Sequence, residues 1–277
     1  MKTRTISEWV KEVHQTAIEK GWFEEERQRL ELHMLMLTEI SEATEEIRNH
    51  KPSFYIENGK PEGEAIELVD GLLRIFDYAG YKNIDLIHYL KSEGDNYRNN
   101  YLNLYPILLA SSWPIHQENI ENVKGCSEKV KKEMDKESHD HIGYPVFTSV
   151  SGLSTLDVLN RIIGFEKSIA EKENINFENI SELTEFFSVV SKNENWFKNY
   201  ESFVSPLEKH MLFSMTIAEA SQAVLKKDFE EEARLMARTL IQIFVYFVHN
   251  NWDVNEMLDE KHSFNMARAY KHGGKKC

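Results

Sequence analysis

An all-α protein made of two tandem helical-bundle repeats is the architecture this sequence predicts, and three observations predict it. Only 12 Gly and six Pro punctuate 277 residues. Apolar residues recur at helical spacing in nearly every hydrophobic segment, whereas strand-like alternation is scarce. Finally, a series of short patterns near the start of the chain returns in the same order near its end. Periodicity places helices over Ile6 to Lys20, Glu26 to Asn49, Glu62 to Ala79, Ile84 to Glu93, Thr155 to Lys172, Ser181 to Ser191, Pro206 to Lys226, Glu230 to His249 and Val254 to Tyr270, with ends fixed to ~2–4 residues.

In the second helix Leu32, Leu35, Met36, Ile40, Ala43 and Ile47 fall on one arc, at roughly 100° per residue. The third sets Leu68, Val69, Leu72, Leu73, Ile75 and Phe76 opposite a polar arc of Glu67, Asp70, Arg74 and Asp77. Taken alone, that arc reads as the solvated side of an amphipathic helix. In the last helix Lys261, Asn265 and Arg268 lie at i, i+4 and i+7, one helical face. Polar stretches rich in turn formers, HKPSFYIENGKPEG and ESHDHIGYP, separate helices as loops.

The repeat pairs Ile6-Ser7-Glu8 with Ile180-Ser181-Glu182, Trp22-Phe23 with Trp196-Phe197, His33-Met34-Leu35 with His210-Met211-Leu212 and Glu42-Ala43 with Glu219-Ala220. Further on, Ile75-Phe76 and Tyr78 match Ile243-Phe244 and Tyr246, and Asn83-x-Asp85 matches Asn251-x-Asp253. Residues 1–101 and 180–277 are therefore expected to be two copies of one helical unit, with 102–179 an inserted connector. The copies differ in chemistry. Glu39 aligns with Thr216, Glu67 with Leu235 and Asp70 with Arg238, while Glu42 alone keeps its acid as Glu219. The Lys-Asn-Arg face occurs only in the second copy.

Glu39 falls inside the apolar arc of its helix, with Glu42 at the edge. Two carboxylates about 6 Å apart repel by roughly 3 kcal/mol at an effective dielectric of ~20, before any desolvation cost. A compensating cation is expected, and hard oxygen ligands select Mg²⁺, or Mn²⁺, over zinc. Only Cys126 and Cys277 are present, too few for a thiolate zinc framework. A net charge of −13 argues against a nucleic-acid or anionic-membrane partner, since both select for a basic face. No apolar run approaches a bilayer span, and MKTRTISEWV lacks a signal-peptide core, so the expected location is cytoplasmic. His139-Asp140-His141 has metal-ligand residue types but no third partner at suitable spacing, and no glycine-rich phosphate loop follows a strand.

As a set, these residues resemble the MazG-like all-α nucleoside triphosphate pyrophosphohydrolases, the group that includes the dimeric dUTPases. LTEISEATEEIR is similar to the first acid helix of that family, GEAIELVDGLLRIFDYAG to the second, AIEKGWFEE to the segment before them, and KHSFNMARAYKHGGKK to the closing basic stretch. The resemblance covers about half of the chain and leaves the connector unplaced. It implies an intrachain pseudodimer with one acid-rich site, in which Glu39, Glu42, Glu67 and Asp70 hold Mg²⁺ and Lys261, Asn265 and Arg268 contact the triphosphate. Tyr270 and Lys275 belong to the same implied substrate-binding stretch. Trp22 and Phe23 suit either stacking on the base or closing the core.

The expected activity is cleavage of a nucleoside triphosphate to the monophosphate and pyrophosphate. Glu39 would be the first choice to orient or deprotonate the attacking water, with Glu42 as the other catalytic acid. The alternatives are a dUTP/dUDP-type hydrolase and a non-catalytic nucleotide-binding or interaction module. Further pairing of the chain into a homodimer is compatible with this reading, although no apolar patch for it is legible.

Overall fold

The computed structural model describes residues 4–93, 176–183 and 205–271. The chain divides into two units, Met1–Glu93 with Ile175–Cys277, and Gly94–Asn174; only the first contains described residues. The helix expected over Thr155 to Lys172, most of that over Ser181 to Ser191, both cysteines and the His139-Asp140-His141 stretch lie outside the described residues.

Within the described residues the first unit is helical apart from one small hairpin. Its elements are α1 (Ile6–Glu19), α2 (Arg29–Arg48), β1 (Tyr55–Glu57), β2 (Lys60–Glu62), α3 (Glu64–Lys82), α4 (Pro206–Lys226), α5 (Phe229–Asn250) and α6 (Val254–Ala267). Residues 86–93 are also helical. Starts follow capping chemistry: Thr5 with Glu8 and Ser205 with Glu208 form reciprocal capping boxes, Pro206 fills the first turn of α4, and Asp228 and Asp253 accept from the first free N–H groups of α5 and α6. Of three left-handed stops, two fall at matching places, Asn83 after α3 and Asn251 after α5. Each is followed two residues later by a capping aspartate, Asp85 accepting from His88 N–H and Asp253 from Glu256 N–H.

The hairpin corrects the expectation that HKPSFYIENGKPEG is loop throughout. Tyr55, Ile56 and Glu57 pair antiparallel with Glu62, Pro61 and Lys60. Asn58 and Gly59 turn the chain with φ of 51° and 78°, the twisted two-residue turn that Asn-Gly favours.

Helix α3 is the central element and packs against α1, α2, α5 and α6. Twelve of its residues are buried, from Ala65 to Ala79, because its apolar arc faces one set of helices while its polar arc is covered by others. The core joins Trp9, Met36, Ile40, Leu68, Leu72 and Phe76 to Phe213, Ile217, Leu240, Phe244 and Phe247.

Buried polar contacts run between α2–α3 and α4–α5 in a reciprocal pattern. His33 on α2 reaches Ser221 on α4 (Nδ1 to Oγ, 3.0 Å) and Glu232 on α5 (Nε2 to Oε1, 3.1 Å). His210 on α4 reaches Thr44 on α2 (Nδ1 to Oγ1, 2.9 Å), and its Nε2 sits 3.3 Å from Glu64 Oε1 on α3. Tyr78 donates to Glu232, and Tyr246 donates to Glu64. At the chain start, Thr5 forms an antiparallel bridge with Asn179. No helix among the described residues is long and apolar enough to cross a membrane.

Candidate metal and phosphate site

Three of the four predicted acids converge where α2 crosses α3. Glu39 lies mid-helix on the arc of Met36, Ile40 and Ala43, so the packing that buries those side chains buries its carboxyl too, leaving it 7% exposed. Glu67, in the first turn of α3, is 4% exposed, and Asp70 follows one turn later, half-buried. Each of the three presents a carboxylate oxygen within 4.8 Å of the others. Glu42 is exposed and outside this tight set, although its charge is felt by Glu39.

The polar arc of α3 is thus not a solvated face, as the helix alone suggested. The hairpin and α6 cover it, contacts that a helical wheel does not contain.

Such crowding has an electrostatic signature. Burial pushes the Glu39 carboxyl up to about 7, with Asp70 and Glu42 adding to the rise and Arg74 opposing it. Burial likewise pushes Glu67 up to about 8, against the pull of Lys261 and with the help of Asp70 and of a hydrogen bond that its protonated form donates to Glu62. Arg74, Lys261 and Lys60 offset the cost of burying these carboxyls only in part. Three hard oxygen donors at this spacing fit a divalent cation of the Mg²⁺ or Mn²⁺ type, and their chemistry does not by itself name one.

The basic residues from the end of the chain meet the acids directly. Lys261, 1% exposed on α6, places Nζ 2.9 Å from Asp70 Oδ2 and donates to the Pro61 carbonyl at 3.3 Å. The hairpin thereby supplies one arm of the lysine's cradle. Asn265, one turn on, donates from Nδ2 to Asp70 Oδ1 at 3.4 Å, while its buried Oδ1 accepts no hydrogen bond.

Arg268 departs from the expected helical face. α6 ends at Ala267, and Arg268 is its cap residue with extended backbone (φ −67°, ψ 151°). Lys20 stops the helix by donating from Nζ to the carbonyls of Met266 and Arg268, in keeping with the preference of a helix C-terminus for cations. Arg268 nevertheless lines the cleft with Asp70 and Arg74, near enough for the charges of Asp70 and Glu39 to act on it.

An open cleft of about 100 Å³ adjoins the cluster between α1, α3 and α6, with Trp22, Asp70, Arg74, Asn265 and Arg268 on its walls. Trp22 is thus a wall residue of the cleft. Phe23 does not line the cleft; its ring packs 4.9 Å from His14 and 4.5 Å from Tyr81. Tyr270 also stands apart, donating to Glu24 and lying against Gly21. Lys275 is outside the described residues.

Gly21 has φ of 81°, and any Cβ there would collide with the Tyr270 ring. Gly21→Ala is expected to cost about 1–2 kcal/mol from the left-handed backbone alone and to free the segment after α6. A thermal melt and limited proteolysis after Arg268 would register both effects.

Two features escaped the sequence. Arg74 Nε donates to Glu39 Oε1 at 2.9 Å, a pairing hinted at only by Arg74 lying four residues beyond Asp70. The hairpin was signalled by Asn58-Gly59 but lost in a polar stretch. Neither a family model, nor a curated protein, nor a solved structure matches this chain.

Proposed function

We propose that the protein is a metal-dependent nucleoside triphosphate pyrophosphohydrolase of MazG-like type, working at one composite site per chain. The observation that carries this reading is the meeting of Glu39, Glu67 and Asp70 with Lys261, Asn265 and Arg268, acids from α2–α3 and phosphate-binding types from α6.

A duplicated, pseudo-twofold chain is part of the same proposal. The reciprocal His33–Ser221–Glu232 and His210–Thr44–Glu64 contacts are those of an isologous interface, in which each half gives the other what it receives. Thr5 bridging Asn179 puts a residue opposite its own sequence counterpart, as on a twofold axis. The counterpart of the Lys261–Asp70 pair carries reversed charge: Glu93 accepts from Arg238 at 2.7 Å and from Arg234 at 2.8 Å. With Thr216 and Leu235 in place of Glu39 and Glu67, that half-site offers a cation no comparable cluster. A single active site per chain follows.

In this mechanism Glu39, Glu67 and Asp70 hold Mg²⁺, with Glu42 at the solvent edge as a fourth carboxylate. Bound there, the ion would acidify a water and draw charge from the phosphate oxygens. Glu39, the most central acid, orients the attacking water or takes its proton. Lys261 and Arg268 stabilise charge gathering on the pyrophosphate leaving group, the arginine through its fork. Trp22 offers a face to the base, and the unpaired Asn265 Oδ1 accepts a donor from the nucleotide.

The test is a panel of common ribo- and deoxyribonucleoside triphosphates with and without Mg²⁺, scoring pyrophosphate and orthophosphate separately. Mg²⁺-dependent pyrophosphate release from at least one is expected. Orthophosphate release, or binding without turnover across the panel, contradicts the reading.

A further inference from the structure

Arg74 is a cation of the site that the mechanism above leaves without a task. It leaves the middle of α3, donates to Glu39 and is 37% exposed on the cleft wall it shares with Arg268. The two guanidiniums are close enough for the charge of Arg74 to disfavour that of Arg268. Both guanidiniums line the cleft together with Asp70 and Asp77, and a bound phosphate would offset the repulsion between the two cations.

The other half of the chain is an internal control. Thr216 aligns with Glu39, and Gln242, four residues beyond Arg238, occupies the place of Arg74. Thr216 Oγ1 and Gln242 Oε1 lie 3.1 Å apart, so the cross-helix contact persists where both partners are neutral. The fold therefore needs a hydrogen-bonding side chain at this position and not a guanidinium. The charge occurs only in the half that has the acids.

Building on the function proposed above, we infer that Arg74 is a substrate-binding residue: it guards Glu39 while the site lacks a metal, and turns to form a two-arginine clamp with Arg268 on the substrate's phosphates once a divalent cation takes over the carboxylate. The exchange is ionic and breaks no covalent bond. Glu39 trades a guanidinium for the metal, and Arg74 trades a carboxylate for a phosphate oxygen, for which its planar fork is suited.

Inorganic tripolyphosphate with Mg²⁺ is the appropriate probe, because it carries the phosphates without base or sugar. Calorimetry on Arg74→Gln, which copies the residue found in the other half, is expected to show tripolyphosphate binding weakened about 10-fold to 100-fold, with Mn²⁺ binding to the free protein kept within about threefold of wild type. Arg74→Lys should recover part of the loss. Wild-type affinity for tripolyphosphate in Arg74→Gln overturns the inference, as does a parallel loss of Mn²⁺ binding, which would make Arg74 only a support for Glu39. If the wild-type protein binds no tripolyphosphate with Mg²⁺ present, the functional reading itself fails, and the inference with it.

Discussion

Glu39→Gln and Glu67→Gln will each lower pyrophosphate release by at least ~10³-fold and remove measurable Mn²⁺ binding, while leaving the metal-free protein folded. The asymmetry between function and stability is the informative part. A buried acid in a structural ion pair normally costs stability when neutralised, because its partner is stranded. Here three carboxylates share a site with Arg74, Lys261, Arg268 and Lys60, and burial has already pushed Glu67 up to about 8. At pH 7 glutamine resembles the form the fold prefers, so the metal-free Glu67→Gln protein should melt no lower than wild type. Glu39→Gln leaves Arg74 a neutral acceptor, with Asp70 and Asp77 still acting on its guanidinium. A melting temperature lowered by more than a few degrees in either variant would mark these acids as structural.

The stability of the metal-free protein should fall as pH rises from about 5 to 8, and Mg²⁺ should reverse that trend. An unfolded glutamate titrates near 4.3, whereas Glu39 is pushed up to about 7 and Glu67 to about 8 in the folded chain. Across that window the folded state holds more protons than the unfolded one. Stability is therefore fully present below the unfolded value and is lost as pH climbs through the folded values. Because both groups interact with Asp70, the shifts are not independent and the loss is on the order of 3 kcal/mol, or roughly 5–10 °C in melting temperature. A divalent cation binds the ionised form, so its affinity rises with pH over the same range and its stabilisation is largest near pH 8. Subtracting the Glu67→Gln profile from that of wild type isolates these groups from the remaining titrations. A wild-type profile that coincides with the variant's, with or without Mg²⁺, would show that the carboxylates are not strained by one another.

Much of the helical framework was legible because each helix carries its own signals. Start and stop residues lie within the element they delimit, and α1 to α5 begin and end within three residues of where periodicity put them. α6 is instructive even though its end, too, falls three residues from the expected one. It was expected to reach Tyr270 but ends at Ala267, because Lys20, more than 240 positions earlier in the chain, caps its last carbonyls. The acids were legible as residue types, yet their environment was not. Glu67 and Asp70 lie on what any helical wheel calls the solvent side, and only the covering by α6 and the hairpin turns them inward. Arg74 was hidden for the same reason. A cross-helix bond between α2 and α3 leaves no spacing rule in the sequence, whereas the Thr216–Gln242 contact that mirrors it becomes readable once the two halves are laid side by side.

The most direct test of the central claim is an anomalous difference map from crystals grown with Mn²⁺. The account predicts a peak within coordination distance, about 2.0–2.3 Å, of carboxylate oxygens from Glu39, Glu67 and Asp70, with Arg74 turned away from Glu39. Crystals saturated with Mn²⁺ that show no peak there, with Arg74 still bonded to Glu39 and Lys261 to Asp70, would contradict it.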